Sequence, residues 1–258
     1  MKIRLDQAVA SKQNISRTKA QNLIKEGCVY VDENLQNKPA FEVEDYQNIK
    51  VLMADNYVSR GAYKLIKGLD FFGKGVENLV VLDMGASTGG FTEVLLERGA
   101  KRVLSVDIGK GELDARLAQN PNVVNMQGRD IRSLTKEEVG GVQFVTGDLS
   151  FISLLKVLPH VLQILPNAQM ILLFKPQFEC GKDIAKKYHG VIKDKAVHKS
   201  LLQNFVESCK TLGVQVSGLT HSPIKGGSGN IEYLVYINGK DKPFNIENLV
   251  DEAFKLAK

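Results

Sequence analysis

From residue 79 onward the chain alternates short apolar runs with stretches of helical periodicity. Leu79–Asp83, Arg102–Asp107, Val123–Gln127, Val142–Asp148 and Ala168–Lys175 are near-continuous apolar runs, the pattern of strands buried on both faces. Phe91–Arg98, Glu112–Ala118 and Leu154–Leu165 lie between them with apolar residues three and four apart, which predicts helices. Two late runs, Val214–Leu219 and Ile231–Ile237, follow a long predicted helix over Ala196–Leu212. A last helix over Ile246–Leu256 would pack on the outside. Strands and helices alternating in this way predict an α/β domain: a mostly parallel, seven-stranded sheet with helices on both faces.

The first 56 residues are patterned differently. Leu5, Ala8 and Val9 have helical spacing, and Ser16 is placed to cap a second helix over Arg17–Glu26, with Gly27 as its stop. Ala20, Leu23 and Ile24 form the apolar stripe of that helix, and strands follow at Val29–Val31 and around Ile49–Leu52. The expected organisation is a small α+β unit over 1–56, a linker over 57–62 and the α/β domain over 63–258.

Composition narrows the class. At 258 residues, with 43% hydrophobic and 24% charged, the chain suits a large domain plus a small one, and disorder or a fibrous fold is excluded. The opening Met-Lys-Ile-Arg-Leu has no apolar stretch behind it, and no apolar run approaches the roughly 20 residues a spanning helix needs. A cytoplasmic protein with no membrane partner is the expectation. Three cysteines and four histidines show no zinc-type spacing, so no metal site and no disulfide framework is expected. No feature specifies an oligomer.

Net charge is only +5, but its distribution is uneven. Between residues 2 and 25, Lys2, Arg4, Lys12, Arg17, Lys19 and Lys25 stand against Asp6 alone. A cationic helix pair suits contact with a phosphate backbone, and on charge alone it suits a solvated face equally well. A second basic stretch (Lys182, Lys186, Lys187, Lys193, Lys195 and Lys199 against Asp183 and Asp194) reads as a loop that could grip RNA or merely be solvated.

In an open α/β sheet, ligands bind outside the carboxyl ends of the strands. The first such end is Asp83-Met84-Gly85-Ala86-Ser87-Thr88-Gly89-Gly90-Phe91-Thr92. Ser87 stands where a dinucleotide fingerprint would need its second glycine, and the loop opens on an acid, whereas a phosphate cradle favours bare amides. Acids around a glycine loop suit a cofactor that is cationic and carries no phosphate, which is the description of S-adenosylmethionine. Asp83 is then expected near its ammonium and Asp107, with Gly109 beyond it, at the ribose. Asp130 is expected at the adenine amine. Turn glycines and capping aspartates would look the same one at a time; three strand-end acids in register with the loop are harder to explain that way.

The remaining strand ends offer groups that act on a nucleophile: Asp148 after the fourth strand, Lys175 after the fifth and Glu232 at the start of the last. Lys64 lies in Ser59-Arg60-Gly61-Ala62-Tyr63-Lys64-Leu65, a helix placed to pack near the loop. A hydroxyl is a poor nucleophile at neutral pH, so an enzyme that methylates one must align oxygen, methyl and sulfur and ease loss of the proton. Two lysines flanking the oxygen, oriented by two carboxylates, would do this, with Lys175 nearest the hydroxyl and Lys64 its electrostatic partner.

These motifs carry a resemblance. Arg4-Leu5-Asp6, Ile15–Ala20, Ile24–Gly27 and Val29–Asp32 resemble the ribosomal protein S4-like RNA-binding domain, which implies structured RNA as partner and Arg4, Arg17, Lys19 and Lys25 as contacts. Lys64, Asp148, Lys175 and Glu232 match the tetrad of FtsJ-type ribose 2′-O-methyltransferases. Taken whole, the chain resembles the TlyA (haemolysin A) family of rRNA 2′-O-methyltransferases. The resemblance implies a Rossmann-like class I methyltransferase fold, S-adenosylmethionine held by Asp83, Gly85, Ser87, Thr88, Gly89, Gly90, Phe91, Asp107, Gly109, Asp130 and Asp148, and rRNA or ribosomal subunits, at a cytidine ribose, as substrate. RNA contacts at Arg60, Lys182, Lys186 and Lys187 complete the expectation. Three alternatives stand beside it. A base N-methyltransferase would carry prolines after Asp148, which Leu149-Ser150-Phe151 lacks. A non-catalytic assembly factor would not bind the cofactor. A haemolysin would call for a secretion signal or a long basic amphipathic helix.

Overall fold

The computed structural model describes residues 2–25, 28–32, 34–44, 47–51 and 57–256, the side chains of Lys19, Asn22, Lys25, Leu35 and Leu256 apart. Gly27 and Leu52, expected as a helix stop and a strand end, lie outside the described residues.

The N-terminal unit runs β1 (Lys2–Arg4), α1 (Leu5–Gln13), α2 (Arg17–Lys25), β2 (Val29–Val31), β3 (Asn34–Gln36), β4 (Glu42–Glu44) and β5 (Ile49–Val51). The strands beyond those expected come from this segment's own pairing. β1 pairs antiparallel with β4, and β2 sits between β3 and β5. Leu5, Val9, Ala20, Ile24, Val29 and Val43 pack into a core of its own.

The larger unit begins with α3 (Gly61–Phe72) and continues β6 (Val80–Met84), α4 (Gly90–Glu97), β7 (Arg102–Asp107), α5 (Ala115–Ala118), β8 (Val123–Gln127) and β9 (Phe144–Gly147). It goes on through α6 (Leu158–Ile164), β10 (Gln169–Phe174), α7 (Pro176–Glu179), α8 (Gly181–Lys187), α9 (Lys195–Thr211), β11 (Val216–His221), β12 (Tyr233–Ile237) and α10 (Ile246–Leu256). Among the described residues the sheet has seven strands in the order β11-β12-β10-β9-β6-β7-β8. β12 is antiparallel to both its neighbours, and the other pairings are parallel.

Alternate residues of each strand enter opposite layers, which is why the runs read as continuously apolar. Val81, Ile171, Leu173, Leu234 and Tyr236 face α3 and α4, while Leu82, Met170, Leu172, Tyr233 and Val235 face the layer that includes α6, α9 and α10. The chain proceeds outward from β6 to β7 and β8, then returns to β9 on the other side of β6. That reversal leaves a crevice at the carboxyl ends of β6 and β9, and the site is built there.

Local chemistry shortened several expected helices. Glu112 and Leu113 donate their N–H groups to the Gln127 side chain, 2.9 and 3.1 Å, so α5 starts only after Asp114, which caps it. The run Leu154–Leu165 is split into a 3-10 turn, Leu154–Lys156, and α6, where Pro159 sits in the first turn because it has no N–H to donate. The stretch after Cys180, expected as a loop, forms α8. Residues 57–62, expected to link the units, pack against the larger one. Val58 N–H donates 2.6 Å to Glu93, Ala62 is fully buried, and α3 has begun by Gly61.

Candidate active site

The start of α3 packs directly on the glycine loop. A Cβ at Gly90 would collide with Ser59 Oγ and come 3.1 Å from Ala62 N, so only glycine lets the helix and the loop approach this closely. That contact aims Lys64, one turn into α3, at the carboxyl end of β9. Asp148 follows β9 directly and donates its N–H to Met84 O, 2.9 Å. Lys175 follows β10, and Glu232 precedes β12. A Cβ at Gly226 would strike the Glu232 carboxylate, so the glycine turn before β12 is what lets that side chain fold inward.

The four groups form a chain of ion pairs. Lys175 Nζ lies 2.6 Å from Asp148 Oδ1, Lys64 Nζ lies 3.3 Å from Asp148 Oδ2, and Lys64 Nζ lies 2.8 Å from Glu232 Oε2. Lys64 is 8% exposed, Lys175 7% and Glu232 2%. Burial on its own would push the Lys64 ammonium down, but Asp148 and Glu232 outweigh it and hold the group above the ordinary lysine value. Burial would likewise push Asp148 up; the charges of Lys175 and Lys64 hold it below the usual carboxylate range. Lys64 is therefore fixed as an ammonium.

Two further partners of Lys175 emerge only in the fold. The Ser150 hydroxyl accepts from its Nζ at 2.9 Å, and the Phe178 ring lies 5.7 Å from it. Ser150 stands two residues from Asp148, and that spacing was the signal available. Phe151, the next residue in the chain, holds a left-handed φ of 63° and is 92% exposed at the mouth of the site.

The cofactor residues divide. Asp107 accepts from Ser87 N at 2.8 Å and from Gly109 N at 2.7 Å, clamping the glycine loop to the next loop. Gly85 has φ 80°, and a Cβ there would come 2.8 Å from Asp148 O. Gly89, at φ 103°, packs against Leu113 and Leu117. Thr88 accepts from Asp114 N through its carbonyl, and its buried hydroxyl oxygen has no partner among the described residues.

Two expectations need correction. Asp83 does not face the crevice: it is fully buried, and its oxygens accept from the hydroxyls of Thr92 at 2.7 Å and Thr146 at 3.0 Å. Burial pushes its carboxyl up to about 7. It braces the loop from beneath. Phe91 belongs to the hydrophobic layer under α3 and α4, 4% exposed, and is core rather than a cofactor contact. Asp130 caps the turn Ile131–Ser133 and is gripped by Arg132 at 2.6 Å, so an adenine amine would have to share that carboxylate.

The surroundings fit S-adenosylmethionine. The amides of Ser87 and Gly109 are already taken by Asp107, so the loop presents an acid and an unpaired hydroxyl, which suits ribose hydroxyls better than phosphate. Ile108, 74% exposed beside them, offers an apolar face for a base, and sequence reasoning missed it. Among the described residues no cluster of side chains could hold a metal ion, and no helix is long and apolar enough to cross a membrane.

The residues expected to contact RNA are less free than their charge implied. Arg4 and Arg17 both bond the buried Asp6, at 2.9 and 3.2 Å, with their side chains 42% and 49% exposed. Arg60 reaches Lys225 O at 3.4 Å on the site's rim. Lys182, Lys186 and Lys187 are on α8, and all three are exposed. The side chains of Lys19 and Lys25 lie outside the described residues.

A glycine loop at the sheet's reversal, with a buried ion-pair chain beside it, defines a Rossmann-like methyltransferase. The FtsJ-like methyltransferase model matches residues 57–239 and the S4 domain model residues 3–45. The chain belongs to the FtsJ-like methyltransferases, in their TlyA (haemolysin A) branch. It is 39% identical over 245 residues to the 16S/23S rRNA (cytidine-2'-O)-methyltransferase TlyA of Mycobacterium tuberculosis, covering 93% of this chain and 91% of that one. It is 39% identical to Hemolysin A of Brachyspira hyodysenteriae, covering 91% and 99%. A solved structure of a haemolysin-named protein from Streptococcus thermophilus superposes with a TM-score of 0.76 at 35% identity, covering 99% and 96%.

Proposed function

We propose that this protein transfers a methyl group from S-adenosylmethionine to a cytidine ribose 2′-hydroxyl in ribosomal RNA, presented as folded rRNA or as a ribosomal subunit in the cytoplasm. The observation that carries the reading is the buried chain Lys175–Asp148–Lys64–Glu232 beside the glycine loop. The name of the Mycobacterium tuberculosis relative supports the choice of cytidine ribose. The amine-directed alternative has no use for two buried lysines.

Gly85, Ser87, Thr88, Gly89, Gly90, Asp107, Gly109 and Asp130 would hold the cofactor. Bound there, it supplies a methyl carbon on a positively charged sulfur, open to attack. Lys175, once it has given up a proton to solvent, would orient the 2′-hydroxyl and receive the proton that the hydroxyl loses on methylation. Asp148 steadies the ammonium this creates. Lys64, held as an ammonium by two carboxylates, stabilises the oxygen's developing negative charge. Glu232 keeps Lys64 in register. Arg4, Arg17, Lys19, Lys25, Arg60 and the α8 lysines, spread over both units, would grip phosphates while the target nucleotide is turned out of its stack. The division after residue 56 belongs to the same proposal.

The test is transfer of labelled methyl from S-adenosylmethionine to isolated small and large subunits and to free rRNA, by wild type and Lys175→Ala. Nucleoside digestion should yield 2′-O-methylcytidine with the wild type only. A methylated base would move the reaction to a nitrogen. Absence of transfer to every substrate, despite cofactor binding, would return the substrate assignment to the start, and failure to bind the cofactor would leave an RNA-binding assembly factor.

A further inference from the structure

Two loops leave the carboxyl ends of adjacent parallel strands and carry half of the tetrad between them: Asp148–Ser153 after β9 and Lys175–Glu179 after β10. They meet at three levels. Nearest the sheet, Lys175 pairs with Asp148 and Ser150. Further out, the rings of Phe178 and Phe151 lie with centroids 5.2 Å apart. At the far end, Glu179 Oε2 accepts from the Ser153 hydroxyl at 2.5 Å and Oε1 accepts from Leu154 N at 2.7 Å. Ser153 Oγ in turn accepts from Leu155 N at 3.2 Å and caps the 3-10 turn. Glu179 is not among the partners of Lys175 or Asp148. It nevertheless fixes where the other loop ends.

We propose that Glu179 is a positioning residue of the transfer reaction: by clamping Ser153 and Leu154 it sets the separation of the two loops, and with it the alignment of Lys175 on Asp148. This rests on the reading that Lys175 and Asp148 act on the substrate. Without the clamp the loops remain tethered at the sheet, so fold and cofactor site persist, but the lysine nitrogen loses its fixed approach. Misplacement of a reacting group by about 1 Å costs on the order of a hundredfold in rate.

The experiment measures kcat, the KM for the accepting ribosomal subunit and the Kd for S-adenosylmethionine in Glu179→Ala, Glu179→Gln, Ser153→Ala and Lys175→Ala, at a temperature where each is folded. Glu179→Ala should lose kcat by roughly tenfold or more, with KM and Kd within about twofold of wild type. Glu179→Gln should recover to within about threefold, because its carbonyl still accepts from Leu154 N–H and its amide donates to a rotated Ser153 hydroxyl. Ser153→Ala should fall between them. Glu179→Ala with kcat within twofold of wild type, or a loss shared equally by kcat and cofactor Kd and not rescued by glutamine, overturns the proposal. If Glu179→Ala does not fold, Ser153→Ala decides: a kcat loss of about threefold or more at unchanged KM supports it, and unchanged kcat overturns it. Full transfer by Lys175→Ala would instead sink the tetrad reading itself, whatever Glu179 does.

Discussion

Replacing Asp83 with asparagine isolates what a buried carboxyl does beneath the glycine loop. The group is fully buried, and burial pushes it up to about 7 from the ordinary value of 3.8, against the opposing effect of the Thr92 and Thr146 hydroxyls. A carboxyl raised in the folded state favours folding fully only below its unfolded pKa, and that contribution is lost as pH rises towards the folded value. Between pH 5 and pH 8, a shift from about 4 to about 7 removes roughly 2–3 kcal/mol of wild-type stability at 1.36 kcal/mol per unit. Asparagine keeps the shape and does not titrate, so subtracting its curve cancels every other group. Urea unfolding at pH 5, 6, 7 and 8 should show the wild type losing about 2–3 kcal/mol relative to Asp83→Asn across that range, whichever is more stable at the start. A difference that stays constant with pH, or that slopes the other way, would refute the account of Asp83 as a buried acid with a raised pKa.

Other consequences are more direct. Gly85→Ala sets a Cβ 2.8 Å from Asp148 O at a φ of 80°, so it should cost about 1–3 kcal/mol of stability and weaken S-adenosylmethionine binding, read by calorimetry. Lys182→Ala/Lys186→Ala/Lys187→Ala on α8 should leave cofactor affinity unchanged and lower rRNA affinity. It should also flatten the logarithmic salt dependence by about 0.7–0.9 for each phosphate the variant no longer neutralises, read by filter binding at several salt concentrations.

Much of the candidate site could be read in advance because the relevant signals are local. Asp148 and Lys175 stand at the ends of apolar runs, and a strand's end is visible wherever such a run stops at a charge. The glycine loop is visible for the same reason. What misled was inference about direction. Asp83 and Phe91 lie in the loop's sequence but point under it: Asp83 because successive residues of a strand alternate between faces, Phe91 because it sits in the first turn of α4 and packs into the layer beneath that helix. Arg4 and Arg17 looked like free cations until folding brought Asp6 beneath them.

By itself, the sequence determined the alternation of elements, the order of strands and helices along the chain and the residue types available for chemistry, because these follow from periodicity and composition over short stretches. Only the tertiary structure decided which charges are partners. Lys64 and Glu232 are far apart in the chain and 2.8 Å apart in space. Asp148 serves two lysines at once, and Glu179 holds the end of a loop that leaves a different strand. Those pairings depend on the strand order that places β9 beside β6 and β10, and on glycines at 90 and 226 whose missing side chains let the helix and the turn close in. Strand order is set by the packing of whole layers, and no short-range pattern in the chain encodes it.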